Sequence, residues 1–297
     1  MATNLDVPLG AVVVGTDGSA SARRAVDWAV AEAVRRDAPM LIVYVAEWPG
    51  MGFPGVPPVT ERELLARGEE LIAEERARVR EQSPNAQVSG VATAGDASVV
   101  LVQASHRASL VVVGARGLGP FTGLLLGTVS QKVAAHAHGP VVVVREEAPA
   151  EMPGPVVVGA DPADPSIEAL RYAFEEAGRR SVGVVVVAAV RQFRTALWFD
   201  LAAAQILDRA EQDQQRLAEL VTRLASEYDV PAEVRHMGGH PVDALLAVAG
   251  AESLIVVGSR GRAGLLEVVL GSVTTAVISR AVAVTVVRVP PPSPATK

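Results

Sequence analysis

The sequence holds no cysteine. That excludes disulfides, thiolate nucleophiles and thiolate metal sites, and it fits a reducing compartment. Basic residues are not in excess: Lys and Arg number 27 against 33 Asp and Glu, a net charge of −6. An acidic chain argues against a nucleic-acid partner and against an anionic membrane surface. It still leaves room for a buried anion site, because backbone dipoles can make one. Long apolar runs are also missing. The longest, Val184 to Val190, is far below the ~18–20 residues that span a bilayer. Met1 to Leu9 has no basic stretch and no long apolar run, so no signal peptide is expected. The expectation is a soluble, cytoplasmic protein.

The five histidines do not form a metal or catalytic set. His136 and His138 are two apart and would point to different sides of a helix. A histidine near a helix C-terminus suits the dipole there. His106 reads as a surface residue. His236 and His240 follow a strand near a Gly-Gly turn and have no evident carboxylate partner.

What the chain does have, it has twice. Val12-Val13-Val14-Gly15 with Asp17 recurs as Val156-Val157-Val158-Gly159 with Asp161. Gly114-Ala-Arg-Gly117, nine residues and Gly127-Thr128 recur as Gly258-Ser-Arg-Gly261, nine residues and Gly271-Ser272. Each step, such as Gly15 to Gly159 or Gly114 to Gly258, is 144 residues. A constant offset of that length marks two copies of one domain rather than a short solenoid repeat. At 297 residues and 49% hydrophobic composition, the chain can bury two cores.

Each copy alternates Val-rich runs with amphipathic stretches, the pattern of βαβ units and a parallel sheet. In the first copy the expected strands are 11–14, 41–45, 88–93, 110–113 and 141–144. A helix after Ser19 presents Ala25, Val26, Ala29, Val30, Ala33 and Val34 on one face. A long charged helix, 60–81, turns Leu64, Leu65, Leu71, Ile72 and Val79 inward. Further helices are expected at 97–108 and from about Thr128. Trp48 to Pro58 reads as a Pro/Gly loop, a lid or partner surface through Trp48, Met51 and Phe53. In the second copy the expected strands are 156–158, 184–188, 232–237, 254–257 and 285–289. Its helices start near Pro165, lie within 201–228 and span 242–249. The first domain is then 1–147, the linker 148–155, the second domain 156–291 and a disordered tail 292–297. The fold class is α/β: two tandem, open, doubly wound Rossmann-like sheets, related by pseudo-two-fold symmetry. Ligands in such sheets sit beyond the carboxyl ends of the strands.

Gly114 ends a strand and Gly117 follows two residues later. Without Cβ atoms, a phosphate can approach the backbone and positive φ is allowed. Gly127-Thr128-Val129-Ser130 opens a helix whose free N–H groups suit a phosphate. The hydroxyls of Thr128 and Ser130 are placed to donate to it, and Ser272 and Thr274 repeat them. Tight turns alone would also explain one set of glycines; recurrence with the same hydroxyl choice favours phosphate. Asp17 has a second explanation as a turn former and cap, and so does Asp161. Arg116 and Arg260 either meet phosphate or stand solvated at a loop tip.

Gly-x-x-Gly, nine residues, Gly-Ser/Thr, with an Asp after the first strand, resembles the universal stress protein family. The resemblance covers nearly the whole chain as two tandem domains, the arrangement common in actinobacterial members. The pattern is that of the family's ATP-binding branch. No Gly-Lys-Ser/Thr of a Walker A loop follows, and the related Ser-Gly-Gly-x-Asp-Ser signature is absent. The resemblance implies that Asp17 and Asp161 sit near adenine and ribose, with Gly15 and Gly159 bordering the nucleotide. It implies that Val45 flanks the adenine and that Ala189 is its counterpart. It wraps ribose and phosphates with Gly114, Arg116, Gly117, Gly127, Thr128, Val129 and Ser130. In the second copy Gly258, Arg260, Gly261, Gly271, Ser272, Val273 and Thr274 do the same. One departure stands out: His138-Gly139-Pro140 has no Pro counterpart, and the second copy is one residue shorter there.

The expected function is a nucleotide-dependent regulator of stress response. It holds two ATP per chain, with Mg bound through the phosphates. It is a homodimer with a regulatory protein partner and is not an enzyme. The alternatives are a slow ATPase of the same fold, or a module that holds AMP or another adenine nucleotide. Phosphoryl transfer needs a group that orients water and charges that stabilise the transition state. The motif shows no fixed carboxylate, Gln or Lys; Lys132 has only Ala276 as counterpart.

Overall fold

The computed structural model of the chain describes residues 5–47, 60–117, 126–149, 151–190, 201–259 and 270–288. The predicted Trp48 to Pro58 loop, the tail 292–297, Arg260 and Gly261 lie outside the described residues. The chain divides into two compact units, 1–151 with 278–283 and 152–277 with 284–297.

The first unit runs β1 (Val12–Thr16), α1 (Ala20–Arg35), β2 (Met40–Ala46), α2 (Glu61–Gln82), β3 (Val88–Ala94), α3 (Ala97–Ala104), β4 (Leu110–Gly114), α4 (Thr128–His136) and β5 (Val141–Val144). Its strands lie in the order β3-β2-β1-β4-β5 and pair in parallel. The chain leaves β1 to one side for β2 and β3, then returns to the other for β4 and β5. The reversal opens a crevice at the carboxyl ends of β1 and β4, where such folds bind ligands. Val12, Val13, Val14, Leu110 and Val112 are wholly buried, as strands covered on both faces require.

The second copy runs β6 (Val156–Ala160), α5 (Ile167–Arg180), β7 (Val184–Val190), α6 (Leu201–Tyr228), β8 (Ala232–Gly238), α7 (Pro241–Val248), β9 (Ile255–Gly258), α8 (Ser272–Arg280) and β10 (Ala283–Val287). Its parallel order is β10-β9-β6-β7-β8. Phe174, Leu170, Leu217 and Leu224 fill the space between sheet, α5 and α6.

Local signals place most boundaries. Ser19 caps α1, accepting from Ala22 N. Thr60 and Glu63 form a reciprocal capping box at the start of α2. The Glu63 carboxyl is held below its ordinary range chiefly by the Thr60 backbone N–H. Pro241 opens α7 at a position where its missing N–H costs nothing.

Several expectations shift. Val34 is 56% exposed rather than inward. At about 100° per residue it lies about 40° beyond Val30, outside the buried stripe. That stripe instead takes in Trp28 and Glu32. On α2 the wholly buried positions are Gly68, Ile72, Glu75 and Val79, with Leu64, Leu65 and Leu71 half-buried. The ring of Tyr44 lies so close to Gly68 that a Cβ there would be 2.2 Å from it. α3 stops at Ala104, where His106 N and Arg107 N bond back to Gln103 O and Ala104 O in tightened turns. β10 begins at Ala283, two residues before the expected strand at Thr285. Pro140, its first-copy counterpart, has no N–H to give a ladder, so β5 starts only after it.

One feature of both copies escaped the sequence reading. Glu32 is 1% exposed and pairs with Arg35 of its own helix and Arg36 just after it. Glu176 is 0% exposed and pairs with Arg179 and Arg180. Glu-Ala-x-Arg-Arg is thus a second element of the repeat. Asp37 and Ser181, which follow it, share positive φ of 48° and 55°.

Candidate functional site

A cavity of about 640 Å³ opens at the carboxyl ends of the first unit's strands. It is lined from Glu47, after β2, to Glu146, after β5. Those strands stand in the order β2, β1, β4, β5, so it spans about 14 Å, three steps of ~4.8 Å. Its volume lies within the ~300–1,000 Å³ range of small-molecule sites. Every first-copy residue singled out from the sequence lines it: Gly15, Asp17 and Val45 on one side, Gly114, Arg116, Gly117 and Gly127 to Ser130 on the other.

The local geometry gives each residue a task. Gly15 faces Leu101 of α3; an added Cβ would meet its Cδ1 at 2.8 Å. Asp17 Oδ1 accepts from Ser19 N at 3.0 Å, so the turn-forming role is present. Its Oδ2 stands against Gly117, where a Cβ would come within 2.4 Å. Asp161 Oδ1 likewise accepts from Ala163 N at 3.1 Å.

The motif glycines do not need positive φ; Gly114, Gly117 and Gly127 all lie outside that region. Gly18 has it instead, at 82°, in the turn after β1. Gly114 must be glycine because α1 presses on it: a Cβ would be 2.8 Å from the Ser21 carbonyl carbon. Gly127 differs. Its nearest neighbour to a new Cβ is Ala115 O at 3.4 Å, an ordinary contact. The protein's own packing therefore leaves room there.

Ser130 corrects an expectation. It is 5% exposed, and its Oγ donates to Gly114 O at 2.6 Å. Its proton ties α4 to the end of β4 and is not available to a ligand. Thr274 does the same in the second unit, donating to Gly258 O at 2.7 Å. Thr128 and Ser272, by contrast, are exposed. The 9-residue spacing could not show this, because it fixes which residues neighbour the helix start and not where each hydroxyl points.

Three helix N-termini meet this region, and they are not alike. α1 is capped by Ser19. α3 is capped by Asp96, which accepts from Ser98 N and Val99 N. Glu47 Oε1 adds a bond from Ala97 N at 3.0 Å. α4 opens at Gly127, which has no side chain to cap it, and among the described residues no other side chain caps it. Its first N–H groups carry the helix dipole's positive end toward the cavity. The Asp96 carboxyl is held below its ordinary range, first by the Ser98 hydroxyl, with the Val99 N–H and Lys132 adding to it against the cost of burial. Lys132 lies 3.7 Å from Asp96 Oδ2.

The second unit repeats the frame where it is described. Gly271 N donates to Ser259 O at 3.0 Å, as Gly127 N does to Ala115 O at 2.7 Å. Residues 271–274 follow the same burial order as 127–130. Gly159 faces Leu245 as Gly15 faces Leu101. Gly159, Asp161, Ala189, Gly258 and Val273 are all half-buried.

The sequence reading missed two lining carboxylates, Glu47 and Glu146. Neither belongs to the glycine pattern, and only the strand order brings them to the cavity's ends. It also missed the stacking of His106 on His138, ring centroids 3.6 Å apart. His136 Nδ1 donates to Lys132 O, 2.8 Å away, in the last turn of α4. His240 caps α7, accepting from Val242 N. Among the described residues no group of three or more His, Asp or Glu side chains is placed to hold a metal ion. No described helix is long and apolar enough to cross a membrane.

The universal stress protein family model matches residues 9–145 and again 152–288. The chain belongs to the universal stress protein family. Two members from Mycobacterium tuberculosis strain H37Rv are similar along most of their length. One is 34% identical over 306 residues, covering 96% of this chain and 96% of the relative. The other is 34% identical over 278 residues, covering 88% and 90%. A crystal structure of a universal stress protein from Archaeoglobus fulgidus DSM 4304 shares the fold, with TM-score 0.65 and 20% identity. It covers 94% of this chain and 98% of that one. The family repeat thus accounts for the 144-residue period and for the paired parallel sheets.

Proposed function

We propose that this universal stress protein binds ATP, one molecule in each unit, and acts as a nucleotide-dependent regulator in stress response rather than as a fast enzyme. One observation carries the reading. The α4 N-terminus, which no described side chain caps, opens into a 640 Å³ cavity whose other helix starts are satisfied by the chain's own Ser19, Asp96 and Glu47. An anion from outside has one natural seat there. The base then lies toward β2, by Val45, and the phosphates toward β4 and Gly127. Thr128 donates to phosphate, and Mg²⁺ rides on the phosphate oxygens. Asp17 accepts a hydrogen bond from the sugar or base.

Native mass spectrometry of the purified full chain tests this. It reads ligand mass, sites per chain and oligomeric state together. Two ATP per chain in a homodimer is the expected result; a chain that carries no nucleotide and takes up none on addition overturns the reading.

A slow ATPase is the second reading, and Glu146 favours it. This carboxylate-bearing residue lines the cavity at its β5 end, where the terminal phosphate would lie. Turnover is expected to be orders of magnitude below the ~10 s⁻¹ median of enzymes. Glu146→Gln separates the two: it leaves binding in place and abolishes whatever hydrolysis Glu146 supports. A regulator needs a partner, and pull-down with ATP-loaded and nucleotide-free protein is the direct way to find one.

A further inference from the structure

The two copies share their glycines but not their serines. In the first unit Ser19 Oγ accepts from Ala22 N at 3.2 Å and donates to Arg116 O at 3.4 Å. Ser21, 7% exposed, accepts from Arg116 N at 3.4 Å and donates to Val144 O at 3.4 Å. Arg116, the residue before the second motif glycine, is therefore held at both its N–H and its C=O by the first turn of α1. Gly114 brings the same turn into contact from the strand side.

In the second unit the residues 144 positions on are Ala163 and Pro165. Neither carries a hydroxyl, and Pro165 has no N–H. α5 opens behind Ser166, the counterpart of Ala22, so it starts about one turn later than α1 does. The strand-end tie survives: Ser259 N donates to Val287 O at 2.8 Å, as Ala115 N does to Val144 O at 2.7 Å. What the second copy has lost is a serine at either place from which the first copy grips its loop.

We infer that Ser19 and Ser21 are positioning residues that set the Arg116–Gly117 segment before a ligand arrives, and that the first site is the tighter of the two for ATP. This rests on the nucleotide reading above. The serines act through the Arg116 backbone. A loop already held in its binding conformation loses little freedom on binding, and the second copy has no serine at either place to supply that hold.

The test is a calorimetric titration of the full-length, nucleotide-free protein with ATP and Mg²⁺, run beside amide hydrogen exchange. The native protein should show two steps separated by about tenfold or more. At substoichiometric ATP, protection of 127–130 should precede that of 271–274. Ser21→Ala should weaken the tight step by about tenfold and leave the other unchanged. It should also speed exchange at 115–117 in the absence of ATP, and saturating ATP should restore the protection. Ser19→Ala, at a less buried position, should act in the same direction and serves if Ser21→Ala folds poorly. Two equal steps in the native protein overturn the inference. So does a tight step that neither variant changes, or an equal loss at both sites. Failure of the native protein to bind ATP sinks the nucleotide reading instead. The exchange comparison at 115–117 then still decides whether the serines hold the loop.

Discussion

The two units solve one folding problem with the same frame and finish it differently. Strand-end glycines, the hydroxyl that ties helix to strand, the buried Glu-Arg-Arg cluster and the positive-φ residue after it all recur at the 144-residue step. These hold sheet to helix, and either unit would lose its packing without them. What differs lies around the cavity mouth. Val45 becomes Ala189, Glu47 becomes Arg191, Asp96 becomes His240, Glu146 becomes Val289, and the serines of α1 become Ala163 and Pro165. Internal packing constrains the frame in both copies alike. Around the mouth the first copy's Glu47, Asp96, Ser19 and Ser21 also serve its own backbone, and there the copies differ.

The largest expected effect comes from Gly117→Val. It should silence the first site and leave the second, so calorimetric stoichiometry falls from two ATP per chain to one. An unchanged value of two with unchanged affinity would place the phosphate path elsewhere. Gly261→Val is the matching experiment on the second copy.

Gly114 and Gly127 sharpen the comparison between frame and mouth. Gly114→Ala forces a Cβ onto the Ser21 backbone and should cost about 1–3 kcal/mol by thermal or urea unfolding. Gly127→Ala meets no such contact and should cost under about 1 kcal/mol, while ATP binding in the first site weakens. If the two variants were equally destabilised, Gly127 too would be a packing glycine.

Asp17→Ala comes next. Loss of one hydrogen bond to sugar or base should weaken the first site by on the order of 1–2 kcal/mol. Because Oδ1 also accepts from Ser19 N, a modest loss of stability should accompany it. A drop in melting temperature with unchanged ATP affinity would reduce Asp17 to a turn former. Asp161→Ala should repeat the pattern in the second site.

The smallest effect concerns the α3 cap. The Asp96 carboxyl is lowered from its ordinary value in the folded chain, chiefly by the Ser98 hydroxyl. Its contribution is therefore complete above the ordinary carboxylate range and is lost as pH falls through the lowered folded value. Protection of the Ser98 and Val99 amides, taken relative to the intrinsic exchange rate at each pH, should fall over that acid window, and Asp96→Ala should remove that fall. His240, at the same place in α7, should show no such carboxylate transition.

Much of this was legible in the sequence because it depends on short-range geometry. Val-rich runs gave the strands, and Ser19 gave a helix start. The constant offset gave two domains. Ser130 was legible as a neighbour of the helix start but not in its role, since the direction of a hydroxyl depends on a strand end 16 residues away. Val34 was misplaced because a helix periodicity marks a stripe without saying where the sheet stops covering it.

The sequence by itself determined the α/β class, the two-fold repetition and the residues that gather at the strand ends. Backbone preference, hydrophobic period and spacing are properties of neighbours in the chain. Only the tertiary structure decided which N-terminus is left uncapped, which glycine is crowded by a helix and which is open, and which carboxylates reach the cavity. Each of those depends on atoms brought together from distant segments by the order β3-β2-β1-β4-β5. Contacts such as Ser21 to Arg116 and Glu47 to Ala97 arise only once the sheet has set that order.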